Sequence, residues 1–251
     1  MIDIHAHILP LMDDGSSGME ESLRMAGMAV SEGIHTVIAT PHHANGSYDN
    51  EAPRVREAVH SLQKLLELRN VPLRIVPGQE IRGFRDLLRD FERGKLLTLA
   101  DSSYLLLEFP PAQVPPQARE WIHELGVSGV TAVIAHPERN KELAAYPETL
   151  AELIEAGVLA QVTSHSLTGA FGRSIQKAAF QMCRSRLIHF VASDAHNVQF
   201  RPFALRAAFS LLEKEAGQEI ADTYQRNAAM LLANEAIPYE EPRLSRKRWF
   251  Y

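Results

Sequence analysis

The segment MIDIHAHILP, residues 1–10, decides the prediction of the fold, because its first seven residues combine a short apolar β-like run with two histidines at the end of the run. Side chains of a strand point alternately to opposite faces, so His5 and His7, two positions apart, share one face. A single His-x-His pair is a weak indication of metal binding. Its meaning therefore depends on whether other strands of the chain end in the same way.

Six further β-like runs follow along the chain, and most of them are continuously apolar. Continuous apolar runs are typical of parallel strands that are buried on both faces. With the first run, the predicted strands cover residues 1–7, 35–40, 73–77, 104–109, 131–135, 158–163 and 187–192.

Stretches with apolar residues at helical spacing lie between these strands. The first begins near Ser17 and Glu20, which are spaced as a capping box, and Gly33 is placed to end it. The other predicted helices cover residues 50–68, 84–93, 117–125, 147–156, 174–184 and 203–216. Seven successive strand-then-helix units predict an α/β fold with a parallel barrel, either incomplete or distorted, in a single domain.

Composition limits the classes of function. The chain has 251 residues, a net charge of -5 and one cysteine, and its pI is about 6.1. The acidic balance gives no reason to expect nucleic-acid binding, and a single cysteine cannot form an internal disulfide. We find no signal peptide and no apolar run long enough to span a membrane. These features predict a cytoplasmic protein without a transmembrane segment.

Metal-capable residues recur at or just beyond the ends of six predicted strands, where barrel enzymes build their active sites. Each residue alone is more often a solvated side chain, but six such positions favour one shared cause. Histidines mixed with carboxylates suit zinc, manganese or iron, and their number exceeds the needs of one ion. By contrast, His35, His60, His123 and His189 lie elsewhere and are assigned to structure or surface. The segments at the strand ends are H5-A-H7 with D13-D14, T-P-H42-H43, G-Q-E80, E108-F, H136-P-E-R139 and S-D194-A-H196.

Together these segments resemble the polymerase and histidinol phosphatase (PHP) superfamily. More narrowly, they resemble its bacterial metal-dependent protein-tyrosine phosphatases of capsule and exopolysaccharide operons. The likeness runs from residue 1 to about residue 234. It implies a distorted (β/α)7 TIM-like barrel of the PHP type, forming one domain over residues 1–251 with a short basic tail at about 242–251.

The resemblance also implies a site with three divalent metal ions, usually manganese, with iron or zinc as alternatives. Arg139 and Arg201 match the arginines that face the phosphate in this family. The ligands implied by position are His5, His7, Asp14, His42, Glu80, Glu108, His136, Asp194 and His196.

The activity that the resemblance implies is hydrolysis of phosphotyrosine on a protein, with the tail of a bacterial tyrosine kinase as partner and polysaccharide synthesis as the process controlled. A cysteine mechanism is excluded for two reasons. Six positions after Cys183 stands His189 and not the arginine of a Cys-x5-Arg loop, and Cys183 lies in a predicted helix as a packed residue.

Three alternatives remain open at this stage. The same cluster could serve a small-metabolite phosphatase, such as one for histidinol phosphate. An amidohydrolase-like hydrolase also begins with His-x-His but uses a lysine, and no lysine ends a predicted strand here. Finally, the metals could stabilise the fold or recruit a partner without any catalysis.

Overall fold

The computed structural model describes residues 1–244. The predicted basic tail at residues 242–251 therefore lies, from residue 245 onward, outside the described part of the chain. Nine strands occur within the described residues: β1 (Ile2–Ala6), β2 (Thr36–Ala39), β3 (His42–His43), β4 (Arg74–Pro77), β5 (Glu80–Arg82), β6 (Tyr104–Glu108), β7 (Thr131–Ala135), β8 (Leu159–Thr163) and β9 (Phe190–Ala192).

All strand pairs are parallel, which confirms the predicted α/β class. The strands form two sheets, in the orders β1-β2-β4 and β3-β5-β6-β7-β8-β9. The end of β1 meets the chain after β9 through an isolated bridge between Ala6 and Ala195, with a 2.8 Å hydrogen bond from Asp194 N–H to the His5 carbonyl. Across residues 1–244, no single continuous ladder closes the ring, so the barrel is distorted, as predicted.

Two predicted strands, residues 35–40 and 73–77, are each followed by a second short strand that the sequence did not indicate. Pro41 separates β2 from β3 and has no N–H to donate to a ladder. Gln79 separates β4 from β5. Its side chain donates a hydrogen bond to the carbonyl of Asn50 and accepts one from the N–H of Leu97, both at 2.5 Å. These breaks shift β3 and β5 into the sheet that carries most of the rim.

Ten α-helices occur among residues 1–244: α1 (Met19–Ser31), α2 (Ala52–Leu68), α3 (Leu87–Glu92), α4 (Ala118–Val127), α5 (Lys141–Ala145), α6 (Pro147–Glu155), α7 (Ser164–Thr168), α8 (Arg173–Arg184), α9 (Leu205–Ala216) and α10 (Gln218–Leu232). Each predicted helical stretch contains one of them, whereas α5, α7 and α10 were not predicted. The predicted capping box is wrong, because Ser17 donates its N–H and hydroxyl to Glu21 rather than pairing with Glu20. Within this part of the chain no helix is both long and apolar enough to cross a membrane.

The interior of the barrel is filled by apolar side chains. Ile4, Ile38, Leu106 and Phe190, from four different strands, are fully buried in one cluster, which Leu231 of α10 joins. A second, larger cluster lies between the strands and the outer helices and includes Cys183, whose pKa burial raises to about 12. The thiol is therefore a packed group, as predicted.

Candidate metal centre

Glu80, the first residue of β5, lies at the centre of the rim cluster and is fully buried. Its Oε2 lies 2.9 Å from Nδ1 of His42, 3.3 Å from Nε2 of His7 and 3.4 Å from Nε2 of His5. Its Oε1 lies 2.8 Å from Nε2 of His136. One carboxylate thus faces four imidazoles that come from three segments far apart in sequence.

Asp194, just after β9, joins the same histidines to the two arginines. Its Oδ1 lies 3.4 Å from Nε2 of His7 and 3.5 Å from Nε2 of His5. Its Oδ2 accepts hydrogen bonds from Arg139 at 2.6 Å and Arg201 at 2.5 Å. The carboxylate of Asp194 therefore contacts two of the predicted ligand histidines and both predicted phosphate-facing arginines.

Asp14 lies at the outer edge of the cluster, and about half of its side chain is exposed. Its Oδ1 lies 3.5 Å from Nε2 of His42 and 3.6 Å from Nε2 of His196. On the other side, Glu108 Oε2 lies 4.0 Å from Nδ1 of His42 and accepts a 2.8 Å hydrogen bond from Arg82. The structure brings all nine predicted ligands together, each with a nitrogen or oxygen within 4.0 Å of another member.

The donor atoms form three overlapping groups in which all ligand atoms lie within 4.8 Å of one another. His136 and Asp194 lie outside these groups but contact Glu80 and His5, respectively. The groups are His7 with Asp14, His42 and His196; His5 with His7 and Glu80; and His42 with Glu80 and Glu108. This arrangement is suited to more than one ion.

The unsatisfied atoms of the cluster fit bound cations. Glu80 Oε2, His42 Nδ1 and His196 Nε2 are buried. Although the first two atoms lie 2.9 Å apart, none of the three has a partner in hydrogen-bonding geometry, whereas buried polar atoms in proteins are nearly always paired. Burial alone would raise the pKa of Glu80, but His5 and His42 hold it well below its ordinary value. Burial, together with His7, lowers the pKa of His196 to about 2. Burial would also lower the pKa of His7, but Asp13 holds it well above its ordinary value, so a metal that binds His7 would displace a proton. Ionised carboxylates and neutral imidazoles are the forms that bind metal.

The backbone is strained where it delivers two of these residues. His136 has φ of 35° and Asp194 has φ of 53°, a region that non-glycine residues rarely adopt. Such strain persists only where the surroundings enforce it and is concentrated at functional sites. Nearby, a Cβ at Gly15 would lie 2.3 Å from the His7 carbonyl oxygen, so only glycine lets the loop carrying Asp13 and Asp14 approach β1 this closely.

Two residues that orient the histidines were not assigned this role from the sequence. Asp13 Oδ2 lies 2.6 Å from Nδ1 of His7, and Gln161 Oε1 lies 3.0 Å from Nδ1 of His5. With both Nδ1 atoms held, both Nε2 atoms face the cluster, 3.2 Å apart. The two adjacent aspartates, Asp13 and Asp14, could have indicated that one of them orients His7. The buried polar Gln161, within the apolar strand β8, could have indicated the second.

Two other histidines at the rim, His43 and His165, are not among the predicted ligands. His43 Nδ1 lies 3.1 Å from the exposed carboxylate of Asp49, and the ring of His165 lies 5.6 Å from that of Phe171. Glu138, beside the predicted arginine, is buried and accepts hydrogen bonds from Thr163 N–H and the Ser166 hydroxyl. None of the three belongs to the ligand groups described above.

We expect Asp13→Asn to weaken metal binding by about 10- to 100-fold, because loss of a carboxylate that orients a ligand histidine typically costs this much. Titration calorimetry with Mn²⁺ on metal-free protein measures the change. Asp49→Asn is the matched control, since Asp49 is exposed and contacts His43 outside the cluster. Equal affinities for Asp13→Asn and the unmodified protein would show that Asp13 does not support the site.

Comparison with known proteins gives consistent matches over nearly the whole chain. Residues 1–233 match the family model for capsular polysaccharide synthesis, CpsB/CapC. The tyrosine-protein phosphatase YwqE of Bacillus subtilis (strain 168) is 46% identical over 248 residues, covering 99% of this chain and 98% of that protein. The putative tyrosine-protein phosphatase CapC of Staphylococcus aureus is 36% identical over 252 residues, covering 100% and 99%.

A solved structure matches equally closely. It comes from the crystal structures of YwqE from Bacillus subtilis and CpsB from Streptococcus pneumoniae, described as unique metal-dependent tyrosine phosphatases. The match has a TM-score of 0.95 and 45% sequence identity, and it covers 98% of this chain and 100% of the other. The arrangement of strands and helices described above is therefore shared with a protein of known structure.

Proposed function

Because the chain belongs to the CpsB/CapC family of capsular polysaccharide synthesis proteins, we propose that it is a metal-dependent phosphatase that hydrolyses phosphotyrosine on proteins. One observation carries the proposal. Nine metal-capable side chains and two arginines from six separate strand ends converge at a single point of the rim, around Glu80 and Asp194.

The cofactor proposed for this site is a set of three divalent ions, manganese foremost, with iron or zinc as alternatives. When bound, such ions supply an activated water and stabilise charge on the phosphoryl oxygens. Four carboxylates would offset only part of their charge, so the site would attract a phosphate dianion although the chain is acidic. The ligands proposed are His5, His7, Asp14, His42, Glu80, Glu108, His136, Asp194 and His196.

The catalytic residues proposed are Arg139 and Arg201. Both guanidinium groups donate to the same oxygen of Asp194. Both arginines can therefore also donate hydrogen bonds to a phosphate that binds beside that carboxylate. Their guanidinium carbons lie 5.2 and 5.8 Å from the ring centre of Phe171, within cation–π distance, which supports both side chains from one side. Charge-assisted hydrogen bonds from arginine are suited to the equatorial oxygens of a phosphoryl group.

The leaving group favours phosphotyrosine over the phosphate of a small metabolite. A phenolate departs more readily than an alkoxide, because its conjugate acid has a pKa near 10. This difference supports phosphotyrosine over histidinol phosphate as the substrate.

The amidohydrolase alternative finds no support in the ligand set. Glu80 begins β5 and Glu108 ends β6, and both occupy rim positions where that class would need a lysine to bridge metals. The lysines among the described residues lie instead on helices or, for Lys95, in a loop where it pairs with Glu51.

The proposed partner is the phosphorylated tail of a bacterial tyrosine kinase, and the proposed process is control of capsular or exopolysaccharide synthesis. The proposal places the protein in the cytoplasm, as one PHP-type domain over residues 1–251. These steps rest on the family and on the names of the relatives.

Metal removal and restoration test the proposed activity. We expect metal-free protein to be inactive on a phosphotyrosine peptide and to regain turnover with Mn²⁺, whereas histidinol phosphate should be hydrolysed much more slowly. Initial rates with Mn²⁺, Zn²⁺, Mg²⁺ or no added metal measure this. If only histidinol phosphate were turned over, the proposed metal centre would stand and the proposed protein substrate would be refuted. No turnover of either, with metal bound, would refute the phosphatase.

A further inference from the structure

Two large apolar side chains stand exposed beside the metal centre. The side chain of Leu11 is 70% exposed and that of Phe200 is 83% exposed. Leu11 lies between the proposed ligands His7 and Asp14, and Phe200 directly precedes Arg201. Isolated exposed apolar residues are common on protein surfaces, so exposure alone does not indicate a role.

The loop after β1 holds Leu11 in a fixed and unfavourable backbone conformation. Its φ is 57°, in the left-handed region that non-glycine residues rarely adopt. Its N–H donates to the Ser16 carbonyl at 2.9 Å, and Ser16 N–H donates back to the His7 carbonyl at 3.1 Å. The loop thus presents an apolar side chain to solvent at a position that is also strained, a combination that packing of the core does not require.

The loop after β9 holds Phe200 with similar definition. The side-chain oxygen of Asn197 accepts the N–H groups of Phe200 at 2.7 Å and Arg201 at 3.2 Å. His196 N–H donates to the Arg201 carbonyl at 2.9 Å, which closes the loop at its base. Within one closed turn, Arg201 therefore points inward to Asp194 while Phe200 points outward.

The two loops leave from neighbouring strand ends. The bridge between Ala6 and Ala195 joins the end of β1 to the chain after β9, and the rings of His7 and His196 lie 3.8 Å apart. The loops therefore border the same side of the metal centre and offer apolar surface next to the phosphate-binding arginine.

We propose that Leu11 and Phe200 form a docking surface for apolar side chains that flank the phosphotyrosine in an extended segment of a protein substrate. The inference rests on the proposed phosphatase function and specifies which part of the substrate the rim recognises. A small phosphate ester would occupy the metal centre without reaching this surface. A polypeptide that enters the centre through a tyrosine must pass over the rim, where its neighbouring residues can cover Leu11 and Phe200.

Steady-state kinetics of the metal-loaded protein test the surface with three substrates: phenyl phosphate, a phosphotyrosine peptide with leucine on both sides, and the same peptide with serine there. Leu11→Ser and Phe200→Ser are measured singly and together. The matched controls are Leu68→Ser and Val127→Ser, since both side chains are 71% exposed and end helices α2 and α4.

We expect each rim variant to lower kcat/KM for the leucine peptide by about 10-fold, mainly through KM, because burying one such side chain changes affinity by roughly that factor. Phenyl phosphate and the serine peptide should be turned over within about twofold of the unmodified rate, and the control variants should match the unmodified protein.

Other outcomes overturn the proposal. Equal losses on phenyl phosphate and on the leucine peptide would show that the loops only shape the metal centre. An unchanged rate on the leucine peptide would show that the surface does not dock the substrate. If the unmodified protein turned over none of the three substrates, the phosphatase function itself would fail, and the docking proposal with it.

Discussion

Replacing Glu80 with glutamine is expected to lower kcat/KM for a phosphotyrosine peptide by on the order of 1,000-fold, through loss of bound metal. Among residues 1–244, Glu80 is the one carboxylate that lies within 3.4 Å of His5, His7, His42 and His136. Glutamine has nearly the same shape but no charge, so it binds cations between these rings much more weakly. Elemental analysis of the purified protein and initial rates at saturating Mn²⁺ measure the two effects.

Thermal unfolding separates loss of metal from loss of fold. A ligand that binds the folded state alone raises the unfolding temperature, so added Mn²⁺ should stabilise the unmodified protein and leave Glu80→Gln unchanged. Glu51→Gln is the matched control, because Glu51 pairs with Lys95 at the surface, where such pairs contribute little. Full metal content and activity in Glu80→Gln would contradict the assignment of Glu80 as a ligand.

The sequence was sufficient to predict the fold class and to group the residues of the candidate metal centre for one physical reason. Parallel strands of a barrel end at a common rim, so residues such as His5, Glu108 and Asp194 can be grouped from their positions after apolar runs. No distance information is needed for that step. The separate assignment of Asp14 rather than Asp13 depended on the family resemblance. In the structure Asp13 lies 2.6 Å from Nδ1 of His7, whereas Asp14 lies 3.5 Å from His42 and 3.6 Å from His196, and the assignment of Asp14 as a ligand stays a prediction.

The features that the sequence did not indicate depend on contacts between distant segments. Strand β5 exists because its residues pair with β3 and β6, not because of any local pattern. Helix α10, directly after Gly217, is a different case: Ala221, Tyr224, Ala228 and Leu231 are buried at helical spacing, so its local pattern was present and was missed. Long-range contacts such as the hydrogen bond from Asn227 to the His189 carbonyl set only its place in the fold. The role of Gln161 likewise appears only when β8 is placed beside His5.

The second large effect is expected at the arginine pair, where Arg139→Lys and Arg201→Lys should each lower kcat/KM for the peptide by about 100-fold while metal content stays unchanged. Lysine keeps the charge but loses the planar fork that can hold two phosphoryl oxygens at once. Removal of one donor to developing negative charge in other enzymes costs about 100- to 1,000-fold. Arg119→Lys is the control, because Arg119 pairs with Glu152 at the surface.

The double variant shows whether the two arginines act on one group. Both donate to the same oxygen of Asp194 and both lie over Phe171, so removal of either changes the surroundings of the other. We therefore expect the double variant to lose less than the product of the single losses, and inorganic phosphate to inhibit all three variants more weakly. Strictly multiplicative losses would mean that the arginines act independently. Unchanged phosphate inhibition would mean that neither contacts the phosphoryl group, and the shared contact with Asp194 would then serve only to orient a metal ligand.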